Sequence, residues 1–408
     1  MSISTDPPSV SEGAECCSAP LTDIIGTSPF PDSKRRKSLT RLTLNVTQAC
    51  NLRCQYCYAE FGRYGMAASH EDLQKYADLL LGVIAHYSRI DTVQFFGGEP
   101  LLALDRIKLA VSIFREASAK GLILATPKFM IVTNGTLLTE PSVLSFLKEN
   151  EFVVTVSCDG PADVTNTLRP DASGARKNAD VYSRIRAGVL ATRAAGIFPG
   201  MEATYTRTHQ HMGITVTDML DNAAAEFGQV SVHVAAAVFS PWGDFRPEPN
   251  RAGKEFFHAS FVSTQRVCKG EPGVLDSVLS LLGTLASKDR VKGYCPAFTS
   301  QLSLDVAGDA YPCFMSMSNR EQRLGNILND QWPTPESAQV YQAYRADMSL
   351  GPFGNRHEIW YDSLVSACAA ADLLSAKKFG TDADYQVHEA VVAGTLLGLS
   401  SQFSAVPN

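Results

Sequence analysis

The chain predicts an α/β fold built on a parallel six-stranded sheet, and three observations carry that prediction. From Leu39 to Val238, short apolar runs of strand character alternate with longer runs of helical period, the pattern of βαβ units. The units are not repeats of one another, so a stacked-repeat architecture is not expected. The polar and glycine-rich motifs fall just after the apolar runs, at the C-terminal ends of strands, where parallel α/β sheets bind ligands.

Residues 1–38 read as a disordered tail, rich in Ser, Pro, Thr and Asp and ending in the basic run Lys34-Arg35-Arg36-Lys37. That run is a solvated linker or a contact for an acidic partner. The first strand is Leu39 to Val46, which alternates in character. Ser69 to His86 follows as a helix, with Ser69 as N-cap and Leu73, Tyr76, Ala77, Leu80, Val83 and Ile84 at helical spacing. Thr92 to Phe96 is a strand and Leu104 to Ala119 a helix. Lys128 to Val132, Phe152 to Ser157, Gly200 to Tyr205 and Val230 to Val238 are strands. Glu140 to Glu149, Val181 to Ala195 and Val216 to Phe227 are the helices between them. Residues 39–240 thus form the core. Residues 241–290 hold a Pro/Gly loop (Trp242 to Ala252) and two helices that bridge to a second unit, 291–370. There Leu302 to Val306 and Ala310 to Phe314 flank Ala307-Gly308-Asp309, a hairpin signal. Residues 371–408 close the chain as C-terminal helices, within an Ala/Leu-rich helical stretch from Glu358 to Leu399 interrupted at Gly380.

Composition narrows the class. The 408 residues are 45 % apolar and 19 % charged, with 36 Lys+Arg against 42 Asp+Glu, a net charge of −6. That is a globular chain long enough for two or three domains. Its mild acidity argues against nucleic-acid binding. No apolar run reaches the ~18–20 residues of a membrane span, and no secretory signal opens the chain, so a cytoplasmic protein is expected. Ten cysteines, at 16, 17, 50, 54, 57, 158, 268, 295, 313 and 368, are more often metal ligands than disulfides in that compartment. Cys16 and Cys17 lie in the tail and stay unassigned.

The run TQACNLRCQYCYAEFGRYG puts Cys50, Cys54 and Cys57 in one short loop after the first strand. Three close thiolates can hold three irons of a cubane and leave the fourth open. A zinc site would instead close with four ligands, and no second paired arm follows nearby. This C-x3-C-x2-C spacing, with Tyr56 before the third Cys, resembles the signature of the radical S-adenosylmethionine (SAM) superfamily. The resemblance implies a partial (β/α)6 TIM-like barrel and a 4Fe–4S cluster on Cys50, Cys54 and Cys57. It also implies SAM bound at the open iron and cleaved to methionine and a 5′-deoxyadenosyl radical. Gly97-Gly98-Glu99-Pro100 is similar to that family's GGEP segment, which holds the SAM amino group. Val132-Thr133-Asn134-Gly135-Thr136 and Ser157-Cys158-Asp159-Gly160-Pro161 are similar to two further SAM-binding segments. They imply SAM contacts at Gly97, Gly98, Glu99, Asn134, Ser157 and Asp159, with Tyr56 in the loop and Arg169 near the SAM carboxylate. Cys158 reads as a packed thiol. His209 is either structural or a substrate or SAM contact.

The strings around Cys50–Gly65 and Glu202–Thr206 look like the peptide-modifying branch. Cys295, twelve residues, Gly308, four residues and Cys313 resemble the opening of a SPASM or twitch domain, the auxiliary-cluster module of such enzymes. A full SPASM domain has seven cysteines and two auxiliary clusters. With its last string aligned on Cys368, three of its slots fall on Asn355, Glu358 and Leu364, so the second cluster's ligands are absent. Cys295, Cys313 and Cys368 remain, for one auxiliary 4Fe–4S cluster, with Cys268 as a possible fourth ligand. Bound zinc, or no metal, are the other readings. Asp305 and Asp309 read as turn residues, Tyr205 and Tyr311 as packing, and Trp242 as a candidate channel-mouth residue.

The resemblance implies an enzyme that oxidatively modifies a ribosomally made peptide or protein by a cross-link, thioether or C–H oxidation. A flavodoxin or ferredoxin would be the reductant. A separate leader-peptide-binding protein is a possible partner, because the tail is too short for a recognition domain. The alternatives are a small-molecule or amino-acid-derived substrate, a formylglycine-type sulfatase maturase, and a non-catalytic peptide-binding partner.

Overall fold

A computed structural model describes residues 37–66, 72–173, 180–238, 240–287, 300–329 and 382–403. The six strands read from the sequence are present as β1 (Lys37–Asn45), β2 (Tyr87–Phe96), β3 (Lys128–Thr133), β4 (Val153–Ser157), β5 (Gly200–Tyr205) and β6 (Ser231–Ala236). All pair in parallel with their sequence neighbours. The sheet runs further than six strands. A two-residue β7 (Val274–Leu275) extends it past β6. On the other side β8 (Gln301–Leu304) pairs in parallel with β1, and β9 (Asp309–Tyr311) and β10 (Gly325–Asn326) continue it antiparallel. The order is β10-β9-β8-β1-β2-β3-β4-β5-β6-β7, so the sheet is open, with β10 and β7 at its edges.

The expected helices appear as α1 (Leu73–His86), α2 (Leu104–Ala119), α3 (Pro141–Glu149), α5 (Val181–Ala194) and α7 (Val216–Phe227), with the short α4 (Ala162–Leu168) and α6 (Arg207–Met212) inserted. Asp72 caps α1 by accepting from the Gln74 amide; the expected cap Ser69 lies outside the described residues. The Pro/Gly loop is shorter than read, because Pro249 already opens α8 (Pro249–Lys269), which α9 (Asp276–Ser287) follows. Proline suits the first helical turn, where its missing N–H would be unpaired anyway. At the C-terminus α10 (Asp382–Phe403) packs on α8. A Cβ at Gly394 would lie 2.3 Å from the Phe257 carbonyl, and one at Gly398 2.7 Å from the Thr264 side chain. Two glycines four apart share one helix face, so the two backbones approach there. The tail, Gly380, and most of the stretch from 358 lie outside the described residues. Among the described residues no helix is long and apolar enough to cross a membrane.

Register divides the sheet into two faces. Leu42 pairs with Val93 and Leu302, and Leu44 with Phe95 and Leu304; paired residues share a face. This outer face carries the core. Phe95 packs at 5.7 Å from Phe152, which also stacks at 5.7 Å on Phe129 and lies 5.5 Å from Phe146 of α3. Each such ring contributes roughly 1.5–3 kcal/mol by burial. The opposite, inner face includes Phe96, whose ring lies 4.7 Å from Phe314, beyond the β8–β9 hairpin. The sheet thereby brings the C-terminal ends of β1 to β5 and the hairpin to one place.

Candidate active site

The loop after β1 is stitched to the end of β2. The Gly98 amide donates to the Thr47 carbonyl (3.0 Å) and the Glu99 amide to the Ala49 carbonyl (2.8 Å). Nothing larger than glycine fits: a Cβ at Gly98 would lie 2.2 Å from the Ala49 oxygen and 2.7 Å from the Phe61 oxygen. At Gly97 it would lie 2.6 Å from the Thr47 oxygen, on a backbone with φ +145°. The two glycines thus act by letting the cysteine loop lie directly on the strand end.

Cys50, Cys54 and Cys57 are all free thiols in this loop. The Leu52 amide donates to Cys50 Sγ (3.4 Å) and the Phe61 amide to Cys57 Sγ (3.2 Å). Burial pushes the Cys50 thiol up to about 11 and raises those of Cys54 and Cys57 too. The thiols are close enough that Cys57 and Cys50 add to the upward shift at Cys54. The bare loop therefore keeps its protons, and a positive centre is needed to ionise all three. Among the described residues no three His, Cys, Asp or Glu side chains close on one metal ion. Three thiols on one loop are a donor set that a cubane cluster can take, each thiolate on a different iron.

Glu99 is fully buried at the end of β2. It accepts from Thr133 Oγ1 (2.7 Å), the Asn134 amide (2.7 Å) and the Leu101 amide (3.1 Å). Burial outweighs these donors and raises its carboxyl to about 7. Asn134 ties β3 to the cysteine loop. Its Nδ2 donates to Asn51 Oδ1 (2.7 Å), its Oδ1 accepts from the Thr136 hydroxyl (2.7 Å), and Asn51 Nδ2 donates to that hydroxyl (2.9 Å). Asn51 and Thr136 were not singled out from the sequence, although both lie inside the motifs that were.

Tyr56, Asp159 and Arg169 meet one another. Arg169 forms a bidentate pair with Asp159, both bonds at 2.8 Å. The Tyr56 hydroxyl donates to the same carboxylate (2.8 and 3.0 Å), as does the Thr204 amide (3.0 Å). The Arg169 guanidinium lies 5.5 Å from the Tyr56 ring centre. Burial alone would raise the Asp159 carboxyl; Arg169 outweighs it and holds that carboxyl below its ordinary value. His209 is buried, with Nε2 2.9 Å from the Asp159 carbonyl and Nδ1 accepting from the Thr206 amide at 3.1 Å. Of the two roles open to it, the structure gives the structural one. The Asp159 oxygens, expected to meet SAM, accept from Tyr56, Arg169 and Thr204, which fixes Tyr56 and ties the cysteine loop to the ends of β4 and β5. Ser157 closes β4, paired with Glu202.

Cys313 is buried and sits beside Tyr58 and Tyr64. These tyrosines, edge-to-face at 6.1 Å, pack with Cys57, Tyr311, Met317 and Phe314 in one cluster. Tyr58 and Tyr64 of the cysteine-loop run thus lie beside both Cys57 and the hairpin thiol. Cys295 and Cys368 lie outside the described residues, as do Cys16 and Cys17. Cys158 is buried in the core, as read. Cys268 is exposed at the end of α8. Asp305 Oδ1 accepts from the amides of Ala307 and Asp309, the expected turn chemistry. Asp309 pairs with Arg320 (2.8 Å) and Arg323 (2.6 Å). Trp242 is 51 % exposed and stacks at 5.0 Å on Phe61, which also carries Arg53 at 4.8 Å. That stack joins Trp242 to Phe61 and Arg53 of the cysteine loop, a pairing that local sequence does not specify.

Residues 44–205 match the family model described as the radical SAM superfamily, a span that contains all of these strand-end motifs. The chain is 26 % identical over 308 residues to a cysteine-type anaerobic sulfatase-maturating enzyme of Clostridium perfringens, covering 71 % of this chain and 77 % of that one. It is 30 % identical over 184 residues to GTP 3′,8-cyclase 1 of Mycobacterium tuberculosis, covering 43 % and 46 %. The solved structure of native anSMEcpe with bound AdoMet covers 90 % of this chain and 100 % of its own, with TM-score 0.68 at 18 % identity. Streptococcus suis SuiB bound to S-adenosylmethionine covers 74 % and 68 %, with TM-score 0.52 at 14 % identity. The chain carries a radical SAM catalytic domain, with a C-terminal module placed as in these structures, and is an enzyme of that kind.

Proposed function

We propose that this enzyme oxidises a side chain of a peptide or protein substrate, in the manner of a formylglycine-forming sulfatase maturase. What supports this above all is that the likeness to the sulfatase-maturating relative reaches 71 % of the chain, well beyond the radical SAM domain. The cross-link or thioether reading ranks second. It is favoured by one observation, that the slots at Asn355, Glu358 and Leu364 lack the cysteines of a second auxiliary cluster.

In this reading Cys50, Cys54 and Cys57 hold the 4Fe–4S cluster. Glu99, the Gly97–Gly98 backbone, Asn134 and Ser157 position SAM. Tyr56, Asp159 and Arg169 keep the loop and strand ends in register. Cys313, with Cys295 and Cys368, would hold one auxiliary cluster. When bound, the cluster supplies the electron that splits SAM, and SAM supplies the radical that takes hydrogen from the substrate. A flavodoxin or ferredoxin would deliver the electron. The chain's own part is orientation: the buried Glu99 carboxylate offers an ammonium group a partner, and the hydrogen bonds from Asn134 and Asn51 hold the cysteine loop against the end of β3.

The test is anaerobic incubation of the reconstituted enzyme with SAM, dithionite and a sulfatase-derived peptide that carries cysteine at its target position. Mass spectrometry and a hydrazide trap should find an aldehyde at that cysteine. A product that gains a cross-link and no aldehyde would move the thioether reading to first place. SAM cleavage that leaves every peptide unchanged would sink the peptide reading.

Glu99 gives a pH prediction. An acid whose folded pKa is raised favours the protonated form, so the ionised Glu99 weighs against the bare fold as pH rises from its unfolded value through about 7. An ammonium ligand needs that ionised form. SAM affinity is therefore expected to tighten several-fold between about pH 6 and pH 7.5. Glu99→Gln should weaken binding and flatten that rise, as read by isothermal titration at several pH values.

A further inference from the structure

The inner face of the sheet carries a row of buried polar side chains that nothing above uses. Thr43 of β1 is paired directly with Gln94 of β2 and with Ser303 of β8, so the three side chains share one face. One step toward the strand ends, on the same face, Asn45 is paired with Phe96, and Asp305 follows β8 at the same alternation. All five are at least nine-tenths buried. Thr43 Oγ1, both amide atoms of Asn45, Gln94 Oε1, Ser303 Oγ and Asp305 Oδ2 have no hydrogen-bond partner among the described residues. The other Asp305 oxygen is taken by its turn. Asn45 Oδ1 comes within 2.7 Å of where a Cβ would stand at Gly97, so the row reaches the strand end that carries the cysteine loop.

Such positions in a parallel barrel are usually filled by Val, Ile and Leu. A marginally stable fold does not gather five polar side chains in one row and leave them all without partners. The chemistry of the row selects what could pair with it. Asn45 Nδ2 only donates, so a cation would leave it unpaired. Gln94 Oε1, Asn45 Oδ1 and Asp305 Oδ2 accept, and no Lys or Arg belongs to the row, so an anion is unsuited. The partner must be neutral and must both donate and accept. An amide does so, with an N–H for the acceptors Gln94, Asn45 and Asp305 and a carbonyl for the Asn45 amide. Its separated donor and acceptor suit a row that spans three strands.

We infer that Thr43, Asn45, Gln94, Ser303 and Asp305 form a subsite for a neutral amide group of the substrate, held beside the cysteine loop. It rests on the peptide reading only for the source of that amide, a backbone or side-chain carboxamide.

The test compares the reconstituted wild-type enzyme with Thr43→Val/Asn45→Leu, by saturation-transfer NMR with N-methylacetamide as probe and acetate and methylammonium as controls. The expected result is a transfer signal for N-methylacetamide alone, lost in the variant. The variant should keep its iron content and melt no lower than wild type, because the polar atoms it removes have no partner among the described residues to leave stranded. If it does not fold, Ser303→Ala takes its place. Equal signals in the two proteins, no signal from wild type, or equal response to all three probes would overturn the subsite. Titration of both proteins with the cysteine peptide then separates the two claims. Weaker binding by the variant joins them. A wild type that takes N-methylacetamide but no peptide leaves the subsite standing and removes the peptide reading.

Discussion

Cys54→Ala is expected to lose about four irons per chain and all detectable deoxyadenosine formation. Burial, with Cys57 and Cys50 adding to it, raises the Cys54 thiol well above its ordinary value. A thiolate at that site exists only when metal stabilises it, so metal and thiolate are lost together. The fold should survive, because the loop is held by its backbone: the Arg53 amide donates to the Pro170 carbonyl (2.7 Å) and the Gln55 amide to the Leu168 carbonyl (2.8 Å). Cys158→Ala is the control. It removes a buried thiol from the core, costs stability through the space it leaves, and should keep its iron. Iron and sulfide analysis with deoxyadenosine measured by chromatography decides the point; turnover by Cys54→Ala would overturn the cluster assignment. The same analysis on wild type reads the second site. About eight irons would support an auxiliary cluster that includes Cys313, and about four would assign that thiol to packing.

What was legible in the sequence is what local spacing encodes. The cysteine loop, the glycine pair and the Asn134 segment are each a few residues long, and each ends a strand whose alternation is visible on its own. Helix α2 begins and ends where its apolar period does, at Leu104 and Ala119. What was not legible depends on register between distant strands. The hairpin was read as part of a separate unit, yet β8 lies against β1, about 260 residues away in the chain, with Thr43 opposite Ser303. No local pattern specifies that pairing. The two-residue β7 is too short to show a period, and α4 is a seven-residue helix directly after Gly160-Pro161. Tyr56, Asp159 and Arg169 are each named by their motifs, but a motif does not say that they meet. Only the folded chain shows the bonds among them.

That mutual engagement makes Arg169→Met the second large effect. Arg169 is 6 % exposed and Asp159 fully buried, so removing the guanidinium strands a carboxylate in the interior. Breaking one side of such a pair costs about 3–5 kcal/mol, whereas replacing both sides together is far milder. Arg169→Met should therefore lower the denaturant midpoint strongly, and Arg169→Met/Asp159→Asn should recover much of the loss. The pH dependence has a definite sign. The folded Asp159 carboxyl lies below its unfolded value, so its contribution is present above that unfolded value and disappears only as pH falls through the lower, folded one. His209 behaves differently: burial pushes its imidazole down from 6.5, so its stabilising effect is already being lost as pH falls below that value. Wild type should accordingly weaken first near the histidine range and again in strong acid. In the double variant the second step should be smaller, since Asp171, Asp244 and Asp309 are also held below their ordinary values by their hydrogen-bond and arginine partners. Function separates from stability in the same series. In Arg169→Met/Asp159→Asn the Tyr56 hydroxyl and the Thr204 amide are left with one neutral amide oxygen in place of a carboxylate. The Tyr56 ring also loses the Arg169 guanidinium, so the tie of the cysteine loop to β4 loosens. The double variant, though folded, should then show a raised KM for SAM. A double variant that cleaves SAM with wild-type KM would mean that the network serves the fold alone.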